Sequence, residues 1–270
     1  MTLRPIATVT LFVGLLAVVL PFLGGCASYI TPGAPADFRA LGITPDEQLV
    51  NTDVQIRELM QRKPLASFPA SIAVIHVQGP NYNSYSYSGY GSGKATVVTL
   101  REAETDTEVQ RLSALPMVRG IAPINRIVAP DRISSDIDLR KTAAMVNADM
   151  ALIYTFDTRF GDQTIVPFLG TITLGLFPAK EAKVTSTVSS ALIDTRSGYI
   201  YGLAEATVHE DQLANFWTSR DAIEQSRRRA ERKAFAGMIK QIESSWGQLV
   251  AQYATPAPAV GADPAVLQAE

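Results

Sequence analysis

Two strand-like runs, 184–194 and 199–209, are separated by Thr195-Arg196-Ser197-Gly198 and followed by a long amphipathic stretch, 218–253. This succession constrains the fold more than any other feature of the chain. Four turn residues ending in glycine predict a β-hairpin, with Gly198 supplying the positive φ of the turn. In the following stretch Phe235, Met238, Ile239, Ile242, Trp246, Leu249, Val250 and Tyr253 recur at helical spacing, so one helix face needs cover. A hairpin beside such a helix predicts a layered α/β arrangement. Composition agrees: of 270 residues 47% are hydrophobic and 19% charged, which suits a packed core and excludes a wholly disordered chain.

Upstream, residues 71–77 (Ser-Ile-Ala-Val-Ile-His-Val) form an apolar run bounded by Pro69 and Gly79-Pro80, the pattern of a buried strand. Residues 95–100 read as another strand, 118–128 as a strand interrupted at Pro123, and 149–156 (Asp-Met-Ala-Leu-Ile-Tyr-Thr-Phe) as the central one. Helical spacing predicts helices over 46–62, ended by Pro64, over 106–115, and over 137–147. Thr105 and Glu108 are spaced like a capping box, and Ser135 precedes the third helix as its cap. The expected fold is one α/β domain over residues 46–253, with a mixed sheet, flanking helices, a C-terminal hairpin and a long amphipathic terminal helix.

The chain begins with Arg4 and a nearly unbroken apolar run, 6–23, that ends in Leu23-Gly24-Gly25-Cys26. An aliphatic residue, two small residues and a cysteine in that order look like a bacterial lipobox: the small residues admit a signal peptidase and the thiol accepts a diacylglycerol. Pro21 weakens a continuous helix here, against the alternative of a signal anchor with an incidental cysteine. Residues 1–25 are therefore expected to be a lipoprotein signal peptide, and Cys26 the lipidated N-terminus carrying a diacylglycerol and a fatty acyl group. Ala27, rather than Asp, follows the cysteine; by resemblance to enterobacterial sorting this implies the outer membrane, facing the periplasm. Residues 26–45, with Pro32, Gly33, Pro35, Gly42 and Pro45, read as a flexible tether. Residues 254–270, with Pro256, Pro258 and Pro264 among Ala and Gly, read as a disordered tail. The single cysteine excludes an internal disulfide and a thiolate-rich zinc site, and two histidines leave little material for a metal centre. A net charge of −2, from 24 basic and 26 acidic residues, argues against nucleic acid as a partner.

Three segments together carry a family resemblance: the early Ser-Ile-Ala-Val-Ile strand, the Asn147-Ala148-Asp149-Met150-Ala151-Leu152-Ile153-Tyr154 run, and Ala191-Leu192-Ile193-Asp194-Thr195-Arg196-Ser197-Gly198-Tyr199-Ile200. They resemble the envelope lipoproteins that include the curli-secretion (CsgG-like) proteins and the lipoprotein activators of penicillin-binding proteins, and within that group the rhombotail, or rhombotarget, lipoproteins. The resemblance implies an accessory envelope lipoprotein with no catalytic residues to carry over. The hydrophobic tail segment that names the rhombotail proteins has no counterpart in residues 254–270, so rhomboid processing is not expected.

The residues offer little chemistry. His76 falls in a buried strand and His209 at a strand end, and neither has a recognisable nucleophile nearby in sequence. Gly89-x-Gly91-x-Gly93 precedes a strand rather than a phosphate-capping helix. Asp131, Asp136 and Asp138 lack the calcium-loop spacing and read as capping and surface residues. Arg227, Arg228, Arg229, Arg232 and Lys233, interleaved with Glu224 and Glu231, read as a solvated helix face. The most unusual segment is 79–93, where Tyr82, Tyr85, Tyr87 and Tyr90 stand among Ser, Asn and Gly; it reads equally as an adaptable contact surface for a protein partner and as a solvated low-complexity insertion. Residues 165–177 alternate Thr171, Thr173 and Gly175 with Ile172, Leu174 and Leu176, and read as a strand or helix under the sheet, or alternatively as a membrane-facing β element. The expectation is a non-enzymatic binding module, without cofactor or metal, for an unidentified envelope protein. The alternatives are an oligomeric secretion pore and, more remotely, an envelope hydrolase.

Overall fold

The computed structural model describes residues 33–43, 53–84, 87–99, 103, 106–164, 180–214 and 219–254. Residues 1–25, Cys26, Tyr85, the apolar 165–177 segment and the tail from 255 lie outside the described residues. The elements are α1 (Asp53–Gln61), β1 (Ala70–Gln78), β2 (Ser92–Gly93), β3 (Thr96–Val97), α2 (Asp106–Ser113), β4 (Val118–Pro123), β5 (Arg132–Ile133), α3 (Asp136–Met145), β6 (Met150–Thr164), β7 (Lys180–Asp194), β8 (Ile200–Ala214) and α4 (Ser219–Tyr253).

The expected α/β fold with a mixed sheet is what forms. β1 pairs in parallel with β6, from Ile72 opposite Met150 to His76 opposite Tyr154. Its other edge is shared, with β4 running parallel along the first half and β3 antiparallel along the end. β6, β7 and β8 then follow as an antiparallel meander. β1 is apolar at nearly every position because both faces of the sheet are covered. On one side Ala73, Ile75, Ala151 and Ile153 pack on Leu139 and Ala143 of α3. On the other, Ile72, Met150, Leu152 and Tyr154 pack on Phe235, Met238, Ile239 and Trp246 of α4. The Trp246 indole N–H is not wasted in this core: it donates to Pro116 O at 2.7 Å.

The hairpin turn forms where expected, with Gly198 at φ 71°. Asp194 organises it. Its carboxylate accepts from the N–H groups of Leu65, Arg196 and Ser197 and from the Tyr201 hydroxyl, at 2.6–3.0 Å. Burial alone would push this carboxyl up; the hydrogen bonds from Ser197, Tyr201, Leu65 and Arg196 outweigh it and hold the group below the usual carboxylate range.

Three expectations need correction. The central strands end later than their apolar runs do: β6 reaches Thr164 rather than residue 156, and β7 and β8 extend to Lys180 and Ala214. The extensions are polar, so periodicity misses them, yet three antiparallel strands satisfy one another's backbone groups without apolar side chains. Residues 33–43 are not free tether, because Leu41 and Ile43 are 1% and 2% exposed and Ala36 N donates to Thr155 Oγ1 at 2.8 Å. Arg227 is not on a solvated face either. It is buried against the β6–β7 extension, held by Glu224 at 2.5 and 2.9 Å and by Glu231 at 2.5 Å. Thr158 Oγ1 donates to Glu231 Oε1 at 3.0 Å and accepts from Ser186 Oγ at 3.0 Å. Burial pushes the Glu231 carboxyl up despite Arg227 and Thr158. Glu224 sits lower than usual, since Arg227 and Arg228 overcome its own burial.

Of the three aspartates read as capping and surface residues, Asp138 caps as expected and Asp136 is the one that is buried. Asp136 pairs with Arg140 at 2.9 Å, while Asp138 caps α3 by accepting from Ser134 and Ser135 N–H. The outer edge of the sheet is guarded as well. Gln241 of α4 turns its side-chain amide to the β8 backbone, accepting from Glu205 N at 3.1 Å and donating to Glu205 O at 2.6 Å, as a neighbouring strand would.

Three outcomes follow. Arg227→Ala leaves two buried carboxylates facing each other and should cost about 3–5 kcal/mol in denaturant unfolding, whereas exposed Arg232→Ala should stay within about 0.5 kcal/mol. Asp194→Asn should lower Tm at neutral pH. A depressed folded-state carboxyl stabilises above its unfolded value and loses that contribution as pH falls, so the Tm gap should narrow below about pH 4. Gln241→Ala uncovers the β8 edge and should produce concentration-dependent self-association by light scattering.

Candidate functional site

The two faces of the β6–β8 extension are not treated alike. Residues directly opposite in register share a face. Thr158, Ser186 and Val208 stand across from one another on the side that α4 covers. Asp157 and Arg159 of β6, Thr185, Thr187 and Ser189 of β7, and Leu203, Glu205, Thr207 and His209 of β8 occupy the other side. There α3 covers only the part near Ile153 and Ile193, and the 35–39 segment borders what lies beyond.

A cleft of about 820 Å³ opens between that segment and the sheet. Asp37, Phe38 and Arg39 form its wall, and Thr155, Asp157, Thr187, Ser189, Leu203 and Glu205 its floor. The wall is fixed by a helical turn: Asp37 Oδ1 accepts from Arg39 N and Ala40 N at 2.9 and 3.2 Å, and Phe38 packs on the core. The floor is held by cross-strand pairs. Ser189 Oγ donates to Glu205 Oε2 at 2.7 Å, Thr187 and Thr207 hydroxyls meet at 2.8 Å, and Thr185 Oγ1 lies 2.9 Å from His209 Nδ1. Arg159 and Asp157 form an exposed ion pair at 2.8 Å. Leu203 stands 66% exposed in the middle of these polar groups. The result is a surface of hydroxyls and carboxylates, ordered by cross-strand pairs, with one apolar projection.

The expected site residues fall elsewhere. Leu23, Gly24, Gly25, Cys26 and Tyr85 are outside the described residues. Tyr82 is buried, and Gly89 N donates to its carbonyl at 2.9 Å. Tyr87 and Tyr90 are half-buried: Tyr87 Oη lies 2.7 Å from Thr99 Oγ1, and Tyr90 donates to Asp131 at 2.5 Å with Arg126 over its ring at 4.8 Å. The Asp131 hydrogen bond raises the Tyr90 hydroxyl above its usual range. The Tyr-rich segment is therefore folded onto the domain, tied by Ser92 N to Asp131 O and Lys94 N to Ile133 O. His76 stacks on Tyr154 at 4.8 Å and meets Phe156 edge-on at 5.2 Å. Among the described residues no cluster of three or more His, Cys, Asp or Glu side chains is arranged to hold a metal ion, and no helix is long and apolar enough to cross a membrane.

The open face was missed because Thr, Ser and Glu at alternate positions carry no motif. The available signal was the alternation in 184–189 (Val-Thr-Ser-Thr-Val-Ser), which marks one side as solvated.

No family model matches the chain, and no curated protein matches it either. Solved structures do overlap with it. A Caulobacter crescentus protein described as a lipoprotein is 14% identical over 41% of this chain and 80% of its own, with a TM-score of 0.24. A Helicobacter pylori protein described as a homologue of neuraminyllactose-binding hemagglutinin is 9% identical over 71% and 90%, with a TM-score of 0.32. A Xanthomonas campestris protein of the DUF330 family is 12% identical over 67% and 90%, with a TM-score of 0.28. With scores of this size the overlaps are partial, and the function has to be read from the chain's own residues.

Proposed function

We propose that the chain is a lipid-anchored envelope lipoprotein, acylated at Cys26 and held at the outer membrane, whose α/β domain is a non-catalytic module binding another envelope protein. The observation that carries the binding role is the face of β6–β8 left open among the described residues, pre-ordered by its cross-strand pairs and bearing exposed Leu203. A rigid polar floor with one apolar projection suits a protein contact, which needs an apolar anchor inside a polar rim. The secretion-pore reading draws less support. The β6–β7 extension carries Asp157, Arg159 and Thr185 on one face and Thr158 and Ser186 against buried Arg227 on the other, so neither is apolar enough to meet lipid tails.

Two measurements test this. Labelled palmitate should be incorporated into the chain and lost in Cys26→Ala; incorporation unaffected by that change contradicts the anchor. A photo-crosslinking residue in place of Leu203 should give one discrete adduct in the envelope, reduced about tenfold when Thr187→Arg is added and unchanged when Arg232→Ala is added. No adduct, or one indifferent to Thr187→Arg, sinks the binding role of this face.

A further inference from the structure

The end of the sheet that carries the Gly198 turn, opposite the polar extension, is ringed by cations. Arg62 donates to Gly198 O at 3.2 Å, and Arg140 to Arg196 O at 3.1 Å and to Asp136 Oδ2 at 2.9 Å. Arg196 donates to Leu65 O at 2.8 Å, and Ser197 Oγ to the carbonyl of exposed Lys63 at 2.6 Å. Arg119 of β4 reaches the same place and donates to Ser71 Oγ at 3.0 Å. The acids bonded into this network are Asp136, Asp149 and Asp194, and all three are buried. On a chain whose net charge is −2, this end therefore presents cations to water and keeps its carboxylates beneath them.

Asp149 is the centre of the network. Its Oδ2 accepts from Arg119 at 2.9 Å and from Ser71 N and Oγ at 3.0 and 2.9 Å, and its Oδ1 meets Arg196 at 3.4 Å. One carboxylate thus holds two guanidiniums side by side. The Asp149 side chain is 6% exposed, while those of Arg119 and Arg196 are 58% and 53% exposed. A guanidinium has five N–H donors. Among the described residues Arg119 donates through Nη2 alone, which leaves its Nε and Nη1 hydrogens toward solvent.

The backbone beside this carboxylate is strained. Met117, two residues before Arg119, has φ 60°, and Asn147, two before Asp149, has φ 53°. Both carbonyls are pinned to the start of β1, Met117 O by Ala70 N and Asn147 O by Ser71 Oγ, each at 2.8 Å. Left-handed residues other than glycine gather at ligand clamps, where the surrounding structure holds them in place.

We infer that Arg119 and Arg196, set side by side by Asp149 and Ser71, form a binding site for a phosphate group. A phosphate brings close to two negative charges and three strong acceptor oxygens, and two guanidinium forks match it in charge and in donor geometry. Asp149 is a positioning residue: it weakens the attraction but fixes both forks, and Arg62 and Arg140 behind the turn restore the positive excess. The site uses neither the open face of β6–β8 nor the lipid anchor.

Equilibrium dialysis of the full chain in detergent micelles against radiolabelled inorganic phosphate, at constant chloride, tests this. Binding should saturate at one phosphate per chain. Arg119→Gln and Arg196→Gln should each weaken it about tenfold or more, and Arg232→Ala should leave it unchanged. Arg119→Gln keeps the fold, since Arg196 and Ser71 still hold Asp149, and an unaltered circular dichroism spectrum verifies it. No saturable binding up to about 20 mM phosphate, or an affinity unchanged in Arg119→Gln, overturns the site. Displacement by acetate as effective as by unlabelled phosphate overturns the phosphate assignment. Dihexanoylphosphatidic acid, which carries the same group on a lipid, identifies the source: displacement at lower concentration than inorganic phosphate supports a lipid headgroup, and equal or weaker displacement supports a free phosphate.

Discussion

β6 is bonded on one side in parallel to β1 and on the other, from Met150 to Thr164, antiparallel to β7. The remaining elements take their places from these two ladders. The parallel half needs cover on both faces and receives α3 on one and α4 on the other. The antiparallel half needs cover on one face only, because its other face is made of groups that water or a partner can satisfy. One strand thus joins a buried sheet to a half-open one, and the candidate binding surface exists because the pairing outlasts the apolar core.

The covered face of the extension is paid for with charge rather than hydrocarbon. Arg227 lies between Glu224 and Glu231, and Glu231 reaches Thr158 across to β6. Such a buried cluster is a poor source of net stability, since desolvation offsets most of the attraction. It does, however, make any shift of α4 along the extension costly, because a displaced Arg227 would leave buried carboxylates unpartnered. Glu210 adds the same constraint at the edge, held by Lys233 and Arg229 of α4. The helix is located by ion pairs toward its start and by Phe235, Met238, Ile242 and Trp246 farther along.

What was legible in the sequence follows this division. β1, the apolar part of β6, the Gly198 turn and the apolar face of α4 are readable because periodicity reports burial among hydrocarbon. The polar halves of β6 and β7 are not, since Asp157, Thr158, Arg159 and Ser186 resemble loop residues until three strands are laid side by side. Arg227 misled for the same reason: a basic residue between glutamates looks solvated when the strand that buries it is not foreseen. The Tyr-rich segment was legible as unusual, but its attachment through Tyr82 and Asp131 depends on β2, β3 and β5, whose two-residue strands have no period to detect. The open face carries no motif and came into view only through the register.

A polar extension built as firmly as the apolar core makes its open face a preformed surface. Hydrogen exchange on the intact chain measures this most directly. Thr158 and Thr187, whose amides lie in the extension, should exchange as slowly as Ile153 and Leu192 in the core and only through global unfolding. Rapid exchange in the extension, with protection ending at Phe156, would mean that the β6–β8 platform is not a standing part of the fold, and the binding surface would go with it.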